Sequence, residues 1–204
     1  MSKMRVQHDV GGISGLCLIE PKLMEDERGY FMETFNRLDM EREGLCYSFV
    51  QHNQSKSLKG VLRGLHFQKR YPQTKLIRVI KGEIFDVAVD MREASETYAK
   101  WYGQLLSEEN KYQLLIPRGF AHGFLVLSEE AQVCYLVDEF YHPEDEGGIA
   151  WNDPGIGIVW PGVEGKYSGN AGAAGYLFDN EPLVINERDQ RFLRMTPPAI
   201  TYPS

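Results

Sequence analysis

Several groups of ionisable and hydroxyl side chains in this sequence have the types and spacing for proton chemistry. In the run 61–68, Arg63 and His66 flank Gly64. A histidine titrates near neutrality and can take or give a proton, while an arginine offers a forked cation to a phosphate or carboxylate. On an extended backbone Arg63 and His66 point to opposite faces unless Gly64 bends or bulges the strand. The plainer reading of the pair is a core histidine beside an exposed arginine. In 116–124, Pro117 and Gly119 turn the chain and His122 follows at P-x-G-x-x-H spacing. In 134–141, Tyr135, Val137 and Glu139 share a strand face that Tyr141 extends. A phenol there is either a packed aromatic or a proton donor. The charge run Asn186, Glu187, Arg188, Asp189 and Gln190 reads by itself as a solvated face.

The spacing ahead of His122 also occurs in metal-binding cupins, so a metal has to be weighed. Such a site needs two or three further ligands, normally an H-x-H pair and a carboxylate on a preceding hairpin. Here that region supplies His66 alone, followed by Gln68 and the cation of Lys75. No metal is expected.

The elements that must hold these residues are mostly strands. Period-two alternation recurs and helical periodicity is scarce. Residues 75–80 and 83–90 alternate most cleanly, and Lys81-Gly82 between them reads as a tight hairpin. In the second of these runs Phe85, Val87 and Val89 take one face and Asp86 and Asp90 the other. Further strands are predicted at 16–20, 30–35, 113–117, 123–127, 131–141 and 156–160, with short helices only at 36–44 and around 107–111. Many short strands separated by turns indicate an antiparallel sandwich or barrel, here an all-β jelly roll with a few short helices. The segment 162–184 differs, with a Gly- and Ala-rich centre at 169–175, and reads as a surface loop.

Composition bounds the partners. The chain has 204 residues, 43% hydrophobic and 25% charged, which suits one globular domain spanning 1–204. A net charge of -7 argues against a general nucleic-acid binder, which needs a broad cationic face, but leaves room for an anionic small molecule held by a few convergent cations. The N-terminal residues lack the apolar core of a signal peptide, and no apolar run approaches the ~18 residues of a membrane helix. Cys17, Cys46 and Cys134 are odd in number and widely spaced, as in a reduced cytoplasmic protein.

Taken in order, these pieces resemble the dTDP-4-dehydrorhamnose 3,5-epimerase family of cupin-type sugar-nucleotide epimerases over about 14–195. The matching stretches are 26–33 (DERGYFME), 50–55 (VQHNQS), 61–68 (VLRGLHFQ), 75–78 (KLIR), 82–90, 117–124, 148–154 (GIAWNDP) and 156–161. The resemblance implies a cupin jelly roll that inverts C3 and C5 of dTDP-4-keto-6-deoxy-D-glucose without a cofactor. It implies His66 as general base, Asp189 as its dyad partner, Lys75 beside the ketone oxygen and Tyr135 as the acid on the opposite face. It also implies substrate contacts from Arg28, Glu33, Gln51, Asn53, Arg63, His122, Tyr141 and Arg188. Family members are homodimers that share strands and site residues, so the 28–33 segment is expected to serve the neighbouring subunit. The chemistry agrees with these residue types. A C4 ketone acidifies C3–H and C5–H, a carboxylate-backed imidazole can remove them, a cation can hold the enolate, and a phenol can reprotonate from the other side. Neither metal, flavin nor nicotinamide is required.

The chain departs from the family pattern in three places. The stretch 162–184 intervenes where the family has a short connection, and is expected to be a mobile surface loop near the mouth of the site. An ungapped pairing would put Asn170 and Ala171 where Arg188 and Asp189 are preferred. Arg188 stands where the family has lysine, and Met24 where an aromatic is expected. Three readings compete with the 3,5-epimerase: an epimerase of C3 or C5 alone on a related nucleotide sugar, a non-catalytic sugar-binding cupin module, and a metal-dependent cupin.

Overall fold

The computed structural model describes residues 3–165, 173 and 175–195. Its strands are β1 (Met4–Gln7), β2 (Cys17–Pro21), β3 (Met24–Asp26), β4 (Gly29–Phe31), β5 (Gln51–Leu58), β6 (Leu62–Gln68), β7 (Lys75–Lys81) and β8 (Glu83–Asp90). They continue with β9 (Trp101–Ser107), β10 (Gln113–Ile116), β11 (Phe120–Val126), β12 (Glu130–Val137) and β13 (Glu146–Gly148). The short β14 (Val163–Glu164), β15 (Leu177–Phe178) and β16 (Glu181–Pro182) come last. The α-helix among the described residues is α1 (Arg37–Arg42), and none there is long and apolar enough to cross a membrane.

Two antiparallel sheets face each other, as the jelly-roll reading expected. One runs β1-β2-β10-β7-β12-β5, the other β13-β6-β11-β8-β9. This placement corrects the hairpin expected at 75–90. β7 pairs with β10 and β12 while β8 pairs with β9 and β11, so the short link carries the chain from one sheet to the other. Gly82 serves that crossing with φ 77°, and a Cβ there would lie 2.0 Å from the Glu130 carbonyl oxygen.

The crossing explains why β8 is buried on both faces. Ile84 and Ala88 pack between the sheets with Ile77, Val79, Leu114 and Val133. Phe85, Val87 and Val89 face outward and are covered by the C-terminal third through Trp151, Ile156, Trp160, Phe178, Leu183 and Ile185. Each large side chain so buried contributes roughly 1.5–3 kcal/mol. On the outer face of the six-stranded sheet, Met40 and Leu45 at α1 cover Cys17, Ile19, Leu76 and Leu115.

Other expectations are corrected at their ends. The strand expected at 30–35 is the three-residue β4, paired with β3 in an exposed hairpin. Residues 156–160 are not a strand: Ile156 and Trp160 are buried, but Gly157 turns between them with φ 68° and its N–H donates to Asp153 O. The helix expected around 107–111 is a turn, closed by Asn110 Oδ1, which accepts from Ser107 N and Tyr112 N. The strand expected at 131–141 stops at Val137, and the helix expected at 36–44 is α1, capped by Asn36 Oδ1 accepting from Leu38 N and Asp39 N. β1, β5 and β9 carry too little apolar alternation to be seen in sequence. Of the segment 162–184, β14, β15 and β16 form a small sheet whose Phe178 is buried, so the described part is packed structure. Most of the Gly- and Ala-rich centre at 169–175, with Asn170 and Ala171, lies outside the described residues.

The register of β6 against β11 settles how Arg63 and His66 are displayed. His66 pairs with His122 and Arg63 with Phe124, so β6 spends one more residue than β11 over the same span. That bulge lies at Gly64 and Leu65 and turns both side chains to the inner face. The two backbones close up tightly there, since a Cβ on Gly123 would sit 2.6 Å from the Arg63 carbonyl oxygen. Gly123→Ala is expected to force β6 and β11 apart and to destabilise the fold by about 1–3 kcal/mol. Urea denaturation checks this, and an unchanged midpoint would mean that the strand pair has slack.

Candidate active site

The inner faces of the two sheets are apolar at one end and polar at the other. In the six-stranded sheet, Val133 sits between Ser55 and Val79 in register, Tyr135 between Asn53 and Ile77, and Val137 between Gln51 and Lys75. The five-stranded sheet opposes these with the rows His66–His122–Ala88 and Arg63–Phe124–Asp86. The polar end opens into a cavity of about 560 Å³, a size that suits a small organic ligand. Its lining includes Gln51, Asn53, Arg63, His66, Lys75, His122, Tyr135, Tyr141 and Arg188, so the structure brings together most of the residues expected from the sequence.

Asp189 lies behind this wall, fully buried, and is joined to it through His66. The His66 Nε2 is 2.9 Å from Asp189 Oδ1, and Gly64 N–H donates to Oδ2 at 3.0 Å. Burial alone raises the carboxyl pKa, but the donors from His66, Gly64 and Arg188 outweigh it and hold Asp189 below its ordinary range. The tautomer that donates from Nε2 to an ionised Asp189 leaves its lone pair on Nδ1. Phe192 meets the imidazole edge-on with ring centroids 5.6 Å apart, limiting its tilt.

A second imidazole–carboxylate pair lies on the neighbouring strands. His122 Nε2 is 2.9 Å from the buried Asp86 Oδ1. Burial pushes the His122 pKa below its ordinary value, against the pull of Asp86, and the nearby Lys75 and His66 add to the lowering. Asp86 was legible in sequence only as the polar face of β8. Its partner could not be named until β8 and β11 were paired.

Lys75 starts β7 with its ammonium among these groups. Among the described residues it makes no ion pair or hydrogen bond, and burial brings its pKa down to about 8 although Asp86 and Glu146 draw it upward. Burial raises the Tyr135 phenol, offset in part by Arg63, so Tyr135 stays protonated through neutral pH. Arg63 is held by Ser57, whose Oγ accepts from Nε at 2.9 Å.

Glu146 is a site residue that sequence reasoning missed. It accepts from the Tyr141 hydroxyl at 2.9 Å and from Arg188 Nη1, tying two expected contacts together. Arg188 also donates from Nε to Asp189 at 3.1 Å, and its Nη2 lies 3.1 Å from His66 Nε2, so the guanidinium rests against the dyad. His52, Gln54 and Ser55 on β5, Gln68 on β6 and Gln73 just ahead of β7 also line the cavity; all but Gln73 lie in the family-like stretches 50–55 and 61–68, but the sequence singled none of them out as a site residue.

Arg28 and Glu33 are not brought to this cavity. Arg28 is exposed on the β3–β4 hairpin and pairs with Asp26, while Glu33 pairs with Lys3 at 2.7 Å. Met24 is exposed on the same hairpin. Residues 162–184 contribute no described residue to the lining, so the expected place at the mouth is not seen. Among the described residues, no group of three or more His, Cys, Asp and Glu side chains is gathered to hold a metal ion.

A jelly roll whose inter-sheet cavity sets a carboxylate-backed imidazole, a perturbed lysine and a half-buried tyrosine around one space belongs to the acid–base isomerase class of cupins. Comparison with known sequences narrows the class. The sequence model of dTDP-4-dehydrorhamnose 3,5-epimerase matches residues 11–196, and the chain belongs to that family. It is 58% identical over 180 residues to the dTDP-4-dehydrorhamnose 3,5-epimerase of Methanothermobacter thermautotrophicus, covering 88% of this chain and 89% of the relative. It is 52% identical over 155 residues to the enzyme of the same name from Escherichia coli, covering 75% and 84%. The structure superposes with a TM-score of 0.82 on a dTDP-6-deoxy-D-glucose-3,5-epimerase from Legionella pneumophila in complex with dTDP-4-keto-L-rhamnose, at 41% identity, covering 94% of this chain and 92% of that one.

The lowered Lys75 can be read directly. In the free protein, a ¹³C-lysine NMR titration is expected to show one lysine with a midpoint near pH 8, charged below it and neutral above. A lysine set that titrates entirely near the ordinary value would mean that water reaches this ammonium.

Proposed function

We propose that this chain inverts C3 and C5 of dTDP-4-keto-6-deoxy-D-glucose to give dTDP-4-keto-L-rhamnose, with His66, Asp189, Lys75 and Tyr135 as its catalytic groups. The reading is carried by the His66–Asp189 pair, which faces across one cavity the lysine and tyrosine that an enolate mechanism needs. His66 Nδ1 takes the proton from the carbon beside the ketone. The C–H electron pair becomes the enolate, whose negative charge gathers on the C4 oxygen. Lys75 meets that oxygen as a cation, where a preformed charge in a water-poor site is worth most. Tyr135 then delivers its hydroxyl proton to the opposite face, and configuration inverts. Exchange with solvent resets both groups before the second carbon reacts.

Arg63, Arg188, Gln51, Asn53, His122 and Tyr141 would bind the nucleotide diphosphate and sugar, with Arg63 and Arg188 matching phosphate oxygens. The exposed hairpin with Arg28 and Glu33 fits a homodimer in which each copy lends these residues to the other's cavity. Tyr30, Phe31 and Phe35 leave an apolar surface there for a second copy. The whole of 1–204 then acts as one epimerase domain, in the cytoplasm, on a route to rhamnose.

The test is incubation with dTDP-4-keto-6-deoxy-D-glucose in D₂O, followed by NMR. Deuterium is expected at both C3 and C5. Label at a single carbon would reassign the chain to a mono-epimerase, and binding without label would make it a sugar-binding module. His66→Ala is expected to lower turnover at least 100-fold while nucleotide binding persists, as removal of a general base requires. Substantial residual exchange in that variant would sink His66 as the base. With Lys75 required as a cation, the alkaline limb of kcat/KM is expected to fall as pH rises through about 8. A flat alkaline profile to pH 9.5 would remove Lys75 from the charge-stabilising role.

A further inference from the structure

The stretch that leads into Asp189 is fastened to the start of β6 by a set of contacts that lie outside the cavity. Val184 forms a parallel bridge with Val61, its N–H donating to Gly60 O at 3.0 Å and its carbonyl accepting from Leu62 N at 2.9 Å. Leu183 and Ile185 alternate inward beside it and pack with Leu62 and Leu65. The run 183–185 is therefore a short extra partner of the strand that carries Arg63, Gly64 and His66.

The small sheet of β14, β15 and β16 holds that run in place. Leu183 N donates to Tyr176 O at 3.1 Å, and Phe178 is buried against Gly60, where an added Cβ would come within 3.5 Å of its ring. Lys59 closes the same corner, with its Nζ 2.8 Å from Asp179 and 5.9 Å from the Phe178 ring centre. Beyond the run, Gln190 folds back. Its Nε2 donates to Ile185 O at 2.8 Å and its Oε1 accepts from Ala173 N at 3.4 Å. Asn186 Oδ1 accepts from Asp189 N at 2.7 Å inside this fold. Asp189 is thus fixed at both ends, through 183–185 on one side and Gln190 on the other, before its carboxylate meets Gly64 N and His66.

We propose that the described part of 162–184, with Gln190, is a brace that sets the position of the Asp189 carboxylate behind His66, and that Phe178 and Gln190 are positioning residues of this dyad. The brace acts from the outer face of the five-stranded sheet, on the far side from the cavity, and governs turnover without touching substrate. The proposal rests on the reading of His66 and Asp189 as base and orienting carboxylate.

The test uses the full-length protein and compares Phe178→Ala, Gln190→Ala and Asp189→Asn, singly and combined, for kcat, KM and melting temperature. Each brace variant is expected to lower kcat by about tenfold to a hundredfold, the scale of a misplaced catalytic group, with KM within twofold. In an Asp189→Asn background neither is expected to lower kcat further, because there is no ionised carboxylate left to misplace. Phe178→Leu, which keeps the packing, is expected to recover most of the loss. Losses that multiply in the double variants would overturn the brace in favour of general structural damage. A raised KM at unchanged kcat would overturn it in favour of a substrate lid. Wild-type kcat in Asp189→Asn would overturn the dyad itself and the brace with it, whereas a loss there beside unaffected brace variants would overturn the brace alone. Should Phe178→Ala fail to fold, Gln190→Ala decides.

Discussion

A carboxylate with no access to water has to be met by donors, and in this protein that demand is placed on Asp189. Its oxygens accept from His66, from the Gly64 amide and from Arg188, and those donors come from parts of the chain more than a hundred residues apart. Satisfying one buried charge therefore fixes the late segment 183–191 against β6, the ring orientation of His66, and the place of the β6 bulge. The bulge in turn is what displays Arg63 and His66 on one face. Removing a single donor would leave a charge that the interior cannot solvate, so the local arrangement behaves as a unit.

The cavity is made by withholding apolar residues from one end of a sandwich that is otherwise closed. Ile77, Val79, Leu114 and Val133 seal the inter-sheet space at one end with Ile84 and Ala88. One or two steps along the same strands the inner rows become Gln51, Asn53, Tyr135 and Lys75 against His66 and His122. A polar inner face contributes little to stability, and the loss is offset outside the sandwich. The C-terminal third covers the outer face of the five-stranded sheet, and α1 with its flanking loop covers part of the six-stranded one. The same geometry perturbs ionisable groups that line the cavity. Lys75 and His122 are held below their ordinary values because they share a confined space with few compensating contacts.

Two of the three departures from the family pattern fall where these constraints act. Arg188, in place of a lysine, can reach Asp189 and Glu146 together and lie against His66, which a single ammonium could not do with the same geometry. The stretch 162–184 looked like a loop because its centre is rich in Gly and Ala. Its flanks carry Phe178 and Leu183, and these decide its packing. Apolar residues at the edges of a low-complexity run outweigh the run itself when they have a surface to cover.

The sequence by itself determined the all-β class, the strands with strict alternation such as β7 and β8, and the order of motifs that carries the family likeness. Those features are local, since period-two patterning and turn chemistry depend only on near neighbours along the chain. Most of the cavity lining was also legible, but through the resemblance. β5 shows why alternation missed it: residues that line a cavity are polar on the inner face and give no apolar signal. Tertiary structure alone decided that β7 and β8 belong to different sheets, that Asp86 stands under His122, that Glu146 joins Tyr141 to Arg188, and that Asp189 is buried behind His66. Each of these depends on register between strands distant in sequence. That register is chosen by which face must be buried and which buried charges must find partners, a balance struck over the whole sandwich at once.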